Sequence, residues 1–485
     1  MKAPRASFAR FAAATLFLAA LSPLLLLSQT EIPITTSSKE ARDFFLKGRE
    51  KAELFEFVAA AELLDKAITL DPNFAMAHLL RSQSGGGFAL TRQHREKAVN
   101  LADKVSAGER HWILAAQAVF DGHRTTRKQH LDELVKLHPR DKRAHFSLAT
   151  YYTGDLDYSN VIAHYKKALD FDKNYAPVLN QLGYIYMTLE NWPEAEKVFK
   201  RQIEVLPNSP NPYDSYAEML LRNGRYDEAI GQYQKAYEKS PLFVGAFTGI
   251  GVSYEHKGDY TKARESFQQQ LAKAPNVDVK ITALNNTVHS YLYEGRYREA
   301  IKAVEEVRSF AEKENRPTTV IDSYSNAAWI HLENGNAVEA ARSLEPGRHL
   351  LVKLDIPAST KEGTEFGQTI LRCFILISVR EFDAAQSLIA KCQQMVERRK
   401  VPADGRVLQT TIAVLERERG NFDKALEAAA KNPNDTFTWY QIGLTHEMKG
   451  DRENARKAYQ RVVDWNWSSF PYALVRARAK QRMAM

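Results

Sequence analysis

Cysteine is nearly absent from this chain. Only Cys373 and Cys392 occur in 485 residues, so no disulfide framework holds it together. Long apolar runs are equally scarce. Beyond residue 30 no stretch approaches the roughly 20 residues of a membrane-spanning helix. Low-complexity tracts are missing and the 18 prolines are thinly spread, which excludes a collagen-like or linker-dominated chain. Charge of one sign is not in excess either. The formal charge is +8, and Lys2, Arg5 and Arg10 precede any acidic residue; without them 64 basic residues face 59 acidic ones. That balance gives no basic stripe for nucleic acid, which is not an expected partner. Local gatherings at Arg140, Lys142 and Arg143, and at Arg476, Arg478, Lys480 and Arg482, read as solvated faces.

Catalytic motifs are also missing. The run Ser84-Gly85-Gly86-Gly87 is followed by no Gly-Lys-Ser/Thr and preceded by no strand, so it is not a phosphate loop. No His-Glu-x-x-His or Cys-x-x-Cys pattern offers a metal site, and no Gly-x-Ser-x-Gly elbow offers a nucleophile. The chain is not expected to be an enzyme, and no catalytic residue, metal or cofactor is assigned. With 44% hydrophobic and 26% charged residues it is nonetheless a folding sequence, too long for one ordinary compact domain.

The first residues have the order of an export signal. The basic start is followed by an uncharged, mostly apolar run from Phe11 to Leu27, and Ser28-Gln29-Thr30 then turns polar. Residues 1–28 are expected to be a signal peptide or, uncleaved, an N-terminal membrane anchor, and the rest of the chain touches a membrane only through them. Pro23 interrupts the run, and no cysteine follows it for lipid attachment. Residues 29–40 read as a linker.

What dominates the remainder is an internal repeat with a period of about 34 residues. Residues 176–209 give the clearest unit: Leu179, Leu182, Gly183 and Tyr186 on one helix, Trp192, Ala195 and Phe199 on the next, Pro207 at the close. A short phrase punctuates the array: Gly-Arg-Tyr-Asp-Glu-Ala at 224–229, Gly-Asp-Tyr-Thr-Lys-Ala at 258–263, Gly-Arg-Tyr-Arg-Glu-Ala at 295–300, with variants at 335–340, 420–425 and 450–455. Glycine suits the end of a first helix because it tolerates a left-handed backbone. The alanine lets two helices approach, opposite a small residue such as Gly183, Ala217 or Gly251. One helix pair cannot bury both apolar faces, so pairs must stack.

These residues resemble the tetratricopeptide repeat over roughly 41–469. The resemblance implies an all-α, right-handed superhelical solenoid of about twelve antiparallel helix pairs, starting near 41, 75, 108, 142, 176, 210, 244, 281, 321, 366, 406 and 436. It divides into a regular array over 41–280, with a degenerate unit at 75–107, and an array of longer repeats over 281–469. The added length is expected in the second helices and their connections. Residues 470–485 read as a basic, solvating cap helix. The phrases Ala107-Gly108-Glu109-Arg110-His111 and Tyr472-Ala473-Leu474-Val475-Arg476 are similar to bacterial arrays often fused to kinases or regulators, and neither partner domain is seen here.

The resemblance also implies a peptide groove on the inner face of the first helices. Asn180, Tyr184, Ser215, Asn286, His289, Asn326 and Trp329 are the groove candidates. Asn180 and Asp214 stand where a carboxylate-clamp lysine would be expected. Ser147, Gln181, Ser215, Asn286 and Asn326 instead make a loose polar row, broken at Gly249, whose amides could both donate to and accept from a peptide backbone. Trp329 is expected to line the groove beside Asn326, so that its loss would weaken binding and spare stability. His78, His111 and His145 recur at one place in three units and read as interhelix packing. Antiparallel register puts Cys392 opposite Thr369, leaving Cys373 and Cys392 as separate buried thiols. The expected function is a scaffold or adaptor that binds a protein or extended peptide in the periplasm or cell envelope, the alternative being a structural subunit of an envelope or secretion assembly.

Overall fold

The computed structural model describes residues 31–85 and 87–484, so the signal or anchor expected at 1–28 lies outside them. Among the described residues there are 25 α-helices and no strand. The chain divides into two compact units between Pro207 and Asn208, and the change in repeat length near 281 falls within the second.

The first unit is five antiparallel pairs: α1 (Lys39–Glu53) with α2 (Phe57–Leu70), α3 (Ala75–Ser82) with α4 (Gly87–Asn100), α5 (Ala107–Phe120) with α6 (Arg124–Leu137), α7 (Lys142–Thr153) with α8 (Tyr158–Phe171), and α9 (Ala176–Thr188) with α10 (Trp192–Val205). The second unit is seven: α11 (Pro210–Arg222) with α12 (Tyr226–Lys239), α13 (Ala246–Lys257) with α14 (Tyr260–Lys273), α15 (Val277–Tyr293) with α16 (Tyr297–Lys313), α17 (Pro317–Glu333) with α18 (Ala337–Lys353), α19 (Ala358–Ser378) with α20 (Phe382–Arg399), α21 (Pro402–Glu418) with α22 (Phe422–Ala429), and α23 (Thr436–Lys449) with α24 (Arg452–Val463). A last helix, α25 (Phe470–Met483), follows. Twelve pairs are thus present, as the periodicity predicts.

The punctuating phrase works as local chemistry dictates. Gly224, Gly258, Gly295, Gly335, Gly420 and Gly450 all take positive φ, between 74° and 85°, ending the first helix in the left-handed region that an L side chain resists. Where the next residue is Asp259, Asn336 or Asp451, its side chain accepts from the backbone N–H three residues on and caps the second helix. At Gly183 and Gly251 the nearest neighbour of the first helix's small residue is an aromatic ring and not the alanine of the phrase. A Cβ on Gly183 would stand 2.5 Å from Phe199, and one on Gly251 would stand 2.2 Å from Phe267. Glycine is there to seat an aromatic ring of the paired helix.

Three further expectations change. In the longer repeats the first helices lengthen too: α15 and α17 have 17 residues each and α19 has 21, against 13 in α9 and α11. Residues 31–38 are no free linker, because this extended segment crosses the N-terminal ends of the first helices. Ile32 N–H donates to Asp141 at 2.8 Å, Thr35 N–H to Glu109 at 2.7 Å and Thr36 Oγ1 to Asp71 at 2.6 Å. Finally, the free, buried Cys373 and Cys392 meet side chain to side chain, within hydrogen-bond reach. Every Cα–Cβ bond tilts toward its own helix N-terminus. In an antiparallel pair the two tilts oppose each other, and this closes the axial offset that backbone register alone implies.

Candidate ligand-binding faces

In the first unit the first helices face an open cavity of about 400 Å³. Its walls are Phe45 of α1, Met76, Leu79 and Leu80 of α3, Trp112 of α5 and Phe146 of α7, with Phe55 and Phe57 from the first turn. These positions lie on the stripe that repeats through successive first helices, so the stacking that buries one side of each helix leaves this side as a lined groove. Three guanidiniums reach the cavity. Arg143, read from sequence as part of a solvated face, is buried, with Nε donating to Glu53 at 2.6 Å and a second nitrogen at 3.3 Å. Its partner lies 90 residues away in sequence, which no local pattern reveals. Arg49 and Arg127 have no ion-pair partner among the described residues. Burial lowers the pKa of both, and Arg143 lowers that of Arg49 further. Glu53, which Arg143 engages, raises the pKa of Arg49 in return, so the groove combines apolar walls with a cationic excess of three guanidiniums over one lining carboxylate.

Behind this face runs a ladder of histidine pairs. His78, His111 and His145 do pack between helices, but each meets a second histidine that sequence reading missed. Nδ1 to Nδ1 distances are 2.9 Å to His94, 3.0 Å to His130 and 2.9 Å to His164. Nε2 of His78 lies 3.1 Å from the Pro72 carbonyl and that of His145 lies 2.9 Å from the Pro139 carbonyl. Each of these two therefore carries its proton on Nε2, and its Nδ1 accepts from the partner ring. The recurring spacing of 16 or 19 residues between partners was the available signal. Among the described residues no group of three or more His, Cys, Asp or Glu is placed to hold a metal.

Burial depresses all six imidazole pKa values, that of His164 to about 4. The unfolded chain, with imidazoles near 6.5, takes up protons that the folded chain refuses. Stability from the ladder is full above pH 6.5 and is lost as pH falls toward 4. Each proton bound only by the unfolded chain steepens the slope by roughly 1.4 kcal/mol per pH unit. Urea denaturation should show the first unit weakening between pH 6.5 and 5, above most carboxylate titration. The double variant His145→Phe/His164→Phe should show a shallower slope; an unchanged slope would refute the assignment.

The second unit places the predicted groove residues under another part of the chain. Asn286 of α15 is buried and donates to Thr248 of α13 at 3.3 Å. His289 lies 6.0 Å from the ring of Phe470, its Nδ1 without a hydrogen bond and its pKa lowered to about 4 by burial. Trp329 of α17 is half-buried against Phe374 and Phe437, beside Phe470 and Leu474. Asn326 is half-buried on α17, and Ser215 is buried on α11. Phe470 thus borders both His289 and Trp329, from two first helices. In the first unit Asn180 is buried and accepts from Gln202 of α10 at 3.4 Å, and Tyr184 meets Phe199 edge-on at 5.5 Å.

The tail that carries Phe470 caps the last pair, and more of it is buried than a surface helix would be. Tyr472, Val475 and Arg476 of α25 are buried, and the helix packs on α15, α23 and α24. Its arginines were read as surface charge because their acidic partners are remote in sequence. Arg478 pairs with Glu333 at 3.2 Å and Arg482 with Glu447 at 2.6 Å.

Residues 178–213, 217–278 and 438–466 match models described as tetratricopeptide repeat. The chain is 22% identical over 205 residues to anaphase-promoting complex subunit 6 of Arabidopsis thaliana, covering 42% of this chain and 37% of that protein. It is 22% identical over 215 residues to Superkiller protein 3 of Schizosaccharomyces pombe, covering 43% and 15%. It is 30% identical over 101 residues to the peroxisomal targeting signal receptor of Kluyveromyces lactis, covering 21% and 18%. The matches thus span well under half the length of each of these relatives. Among solved structures, a tetratricopeptide repeat protein from Parabacteroides merdae aligns at 16% identity over 58% of this chain and 100% of that one, with a TM-score of 0.35.

Proposed function

We propose that this chain, a tetratricopeptide-repeat protein, is a non-catalytic adaptor of the cell envelope that holds a protein or extended peptide on the inner face of its helix pairs. The repeat generally mediates protein–protein interaction and scaffolding. The observation that carries the reading for this chain is the open cavity of about 400 Å³ in the first unit. A stacked scaffold without a ligand has no need of an apolar face left uncovered, nor of Arg49 and Arg127 beside it without a salt-bridge partner. An apolar segment bearing an acidic group would satisfy both. The relatives named above include a subunit of a large complex and a receptor for a targeting signal, which accords with an adaptor. Export rests on the order of Lys2, Arg5 and Arg10, the apolar run and the polar Ser28. Among the described residues no helix is long and apolar enough to cross a membrane.

Crosslinking capture from the native cell should retrieve a partner with the wild-type chain and lose it with Arg49→Gln/Arg127→Gln, whose melting temperature should stay close to that of wild type. Equal capture by the two would sink the groove reading. Residues 1–28 fused to a reporter active only outside the cytoplasm should give signal, and a silent, stably cytoplasmic fusion would refute export.

A further inference from the structure

The second unit's inner face is occupied by the chain's own C-terminal segment, seated as a ligand would be. An extended lead comes first. Asn466 accepts from the Tyr226 hydroxyl at 2.7 Å and donates to the Arg222 carbonyl at 3.2 Å. The Arg222 guanidinium lies 4.4 Å from the centre of the Trp467 ring, and Ser468 bonds the Tyr293 hydroxyl at 3.2 Å. The helix then begins at its Ser469 cap and buries Tyr472 against His256 and Tyr293. A helix that merely capped the stack would cover only the last pair. This segment covers α23 and α24 and also runs back to the first three pairs of the unit.

Apolar burial and charge together hold it: Tyr472, Ala473, Leu474, Val475 and Ala479 belong to the unit's hydrophobic core. Arg478 and Arg482 of α25 meet Glu333 and Glu447 of two first helices, so an acidic face receives a basic helix. The fit is incomplete. Glu255 of α13 is 1% exposed, and neither carboxylate oxygen has a hydrogen-bond partner; both ring nitrogens of His256 beside it are also unpaired. Arg476, the nearest cation on the helix, spends its Nε on Tyr472 at 2.8 Å instead. Buried groups left without partners are the signature of an occupant less than fully matched to its site. A helix whose arginine reached Glu255 would hold the same face more tightly.

We propose that the inner face of the second unit is a receptor for a partner's basic amphipathic helix, and that residues 464–483 are a resident surrogate which such a helix displaces. This face is distinct from the first unit's cavity, so the two readings stand or fall separately.

A fluorescent synthetic peptide of residues 464–483, titrated into the full chain and followed by anisotropy, tests it. Wild type should bind weakly, because the resident competes at high effective concentration. Arg478→Glu/Arg482→Glu, which loosens the resident, should bind at least about tenfold more tightly. Adding Glu333→Arg/Glu447→Arg should restore the internal pairs with reversed charge and abolish peptide binding. No saturable binding by the loosened variant, with its helical circular dichroism intact, would overturn the proposal, as would binding indifferent to the groove charges. A second measurement uses wild type alone: hydrogen exchange at residues 472–479 should accelerate under excess peptide, and unchanged exchange would overturn it. A wild-type dimer that exchanges α25 between copies would assign the face to a second copy and also overturn it.

Discussion

Trp329→Ala should cost the second unit about 3–5 kcal/mol of stability, seen as an earlier urea midpoint. On sequence grounds the residue reads as a groove ligand, three positions beyond Asn326, whose removal would spare stability. The structure sets its ring 5.0 Å from Phe374 and 5.7 Å from Phe437, and those two rings 5.6 Å from each other. The Trp329 contact with Phe437 is edge-on, an arrangement worth about 0.5–1.5 kcal/mol beyond burial. The free side of the ring borders a cavity of about 160 Å³ shared with Phe470 and Leu474. Truncation would merge the indole's volume with that cavity, and the neighbours, fixed on separate helices, cannot collapse to fill it. A midpoint within experimental error of wild type would show that the ring does not serve as packing. Trp329 is therefore expected to be a wall of the groove and part of its foundation together.

Gly251→Val should cost about 3 kcal/mol, the upper end for overpacking. Its Cβ would stand 2.2 Å from a ring carbon of Phe267, itself only 1% exposed and with nowhere to retreat. The same seat recurs at Gly443, where a Cβ would lie 2.3 Å from Tyr459. The control is Gly231→Ala on α12, a helical glycine where an added methyl would meet nothing within 4 Å. That change should stabilise by about 0.5–1 kcal/mol through helix propensity alone. Thermal melts of the two variants should move in opposite directions; equal shifts would refute the seat. A Gly251→Ala variant should fall between them, since one methyl already meets the ring.

The sequence by itself determined the number of helix pairs and the turns that the glycine phrase marks. Both are written in local chemistry: an apolar stripe of helical period, a left-handed glycine, a capping aspartate or asparagine, each acting within a few residues. Helical geometry likewise assigns His289 and Trp329 to one side of α15 and α17, and Phe470 borders both. Tertiary structure alone decided what lies against that face. Arg143 with Glu53, Arg478 with Glu333, and Arg482 with Glu447 join residues 90, 145 and 35 apart, and no periodicity encodes such pairs. Each of these arginines looks solvated in sequence because its partner is supplied by another helix pair. The histidine ladder sits between these cases. Its first members recur visibly from repeat to repeat, yet their partners become partners only when two helices pack. The basic tail caps the last pair as its sequence suggests, but the burial of Arg476 was not legible, because a charged amphipathic helix is soluble on its own. Only the packed unit supplies both the apolar core that takes up Tyr472, Leu474 and Val475 and the carboxylates that meet Arg478 and Arg482.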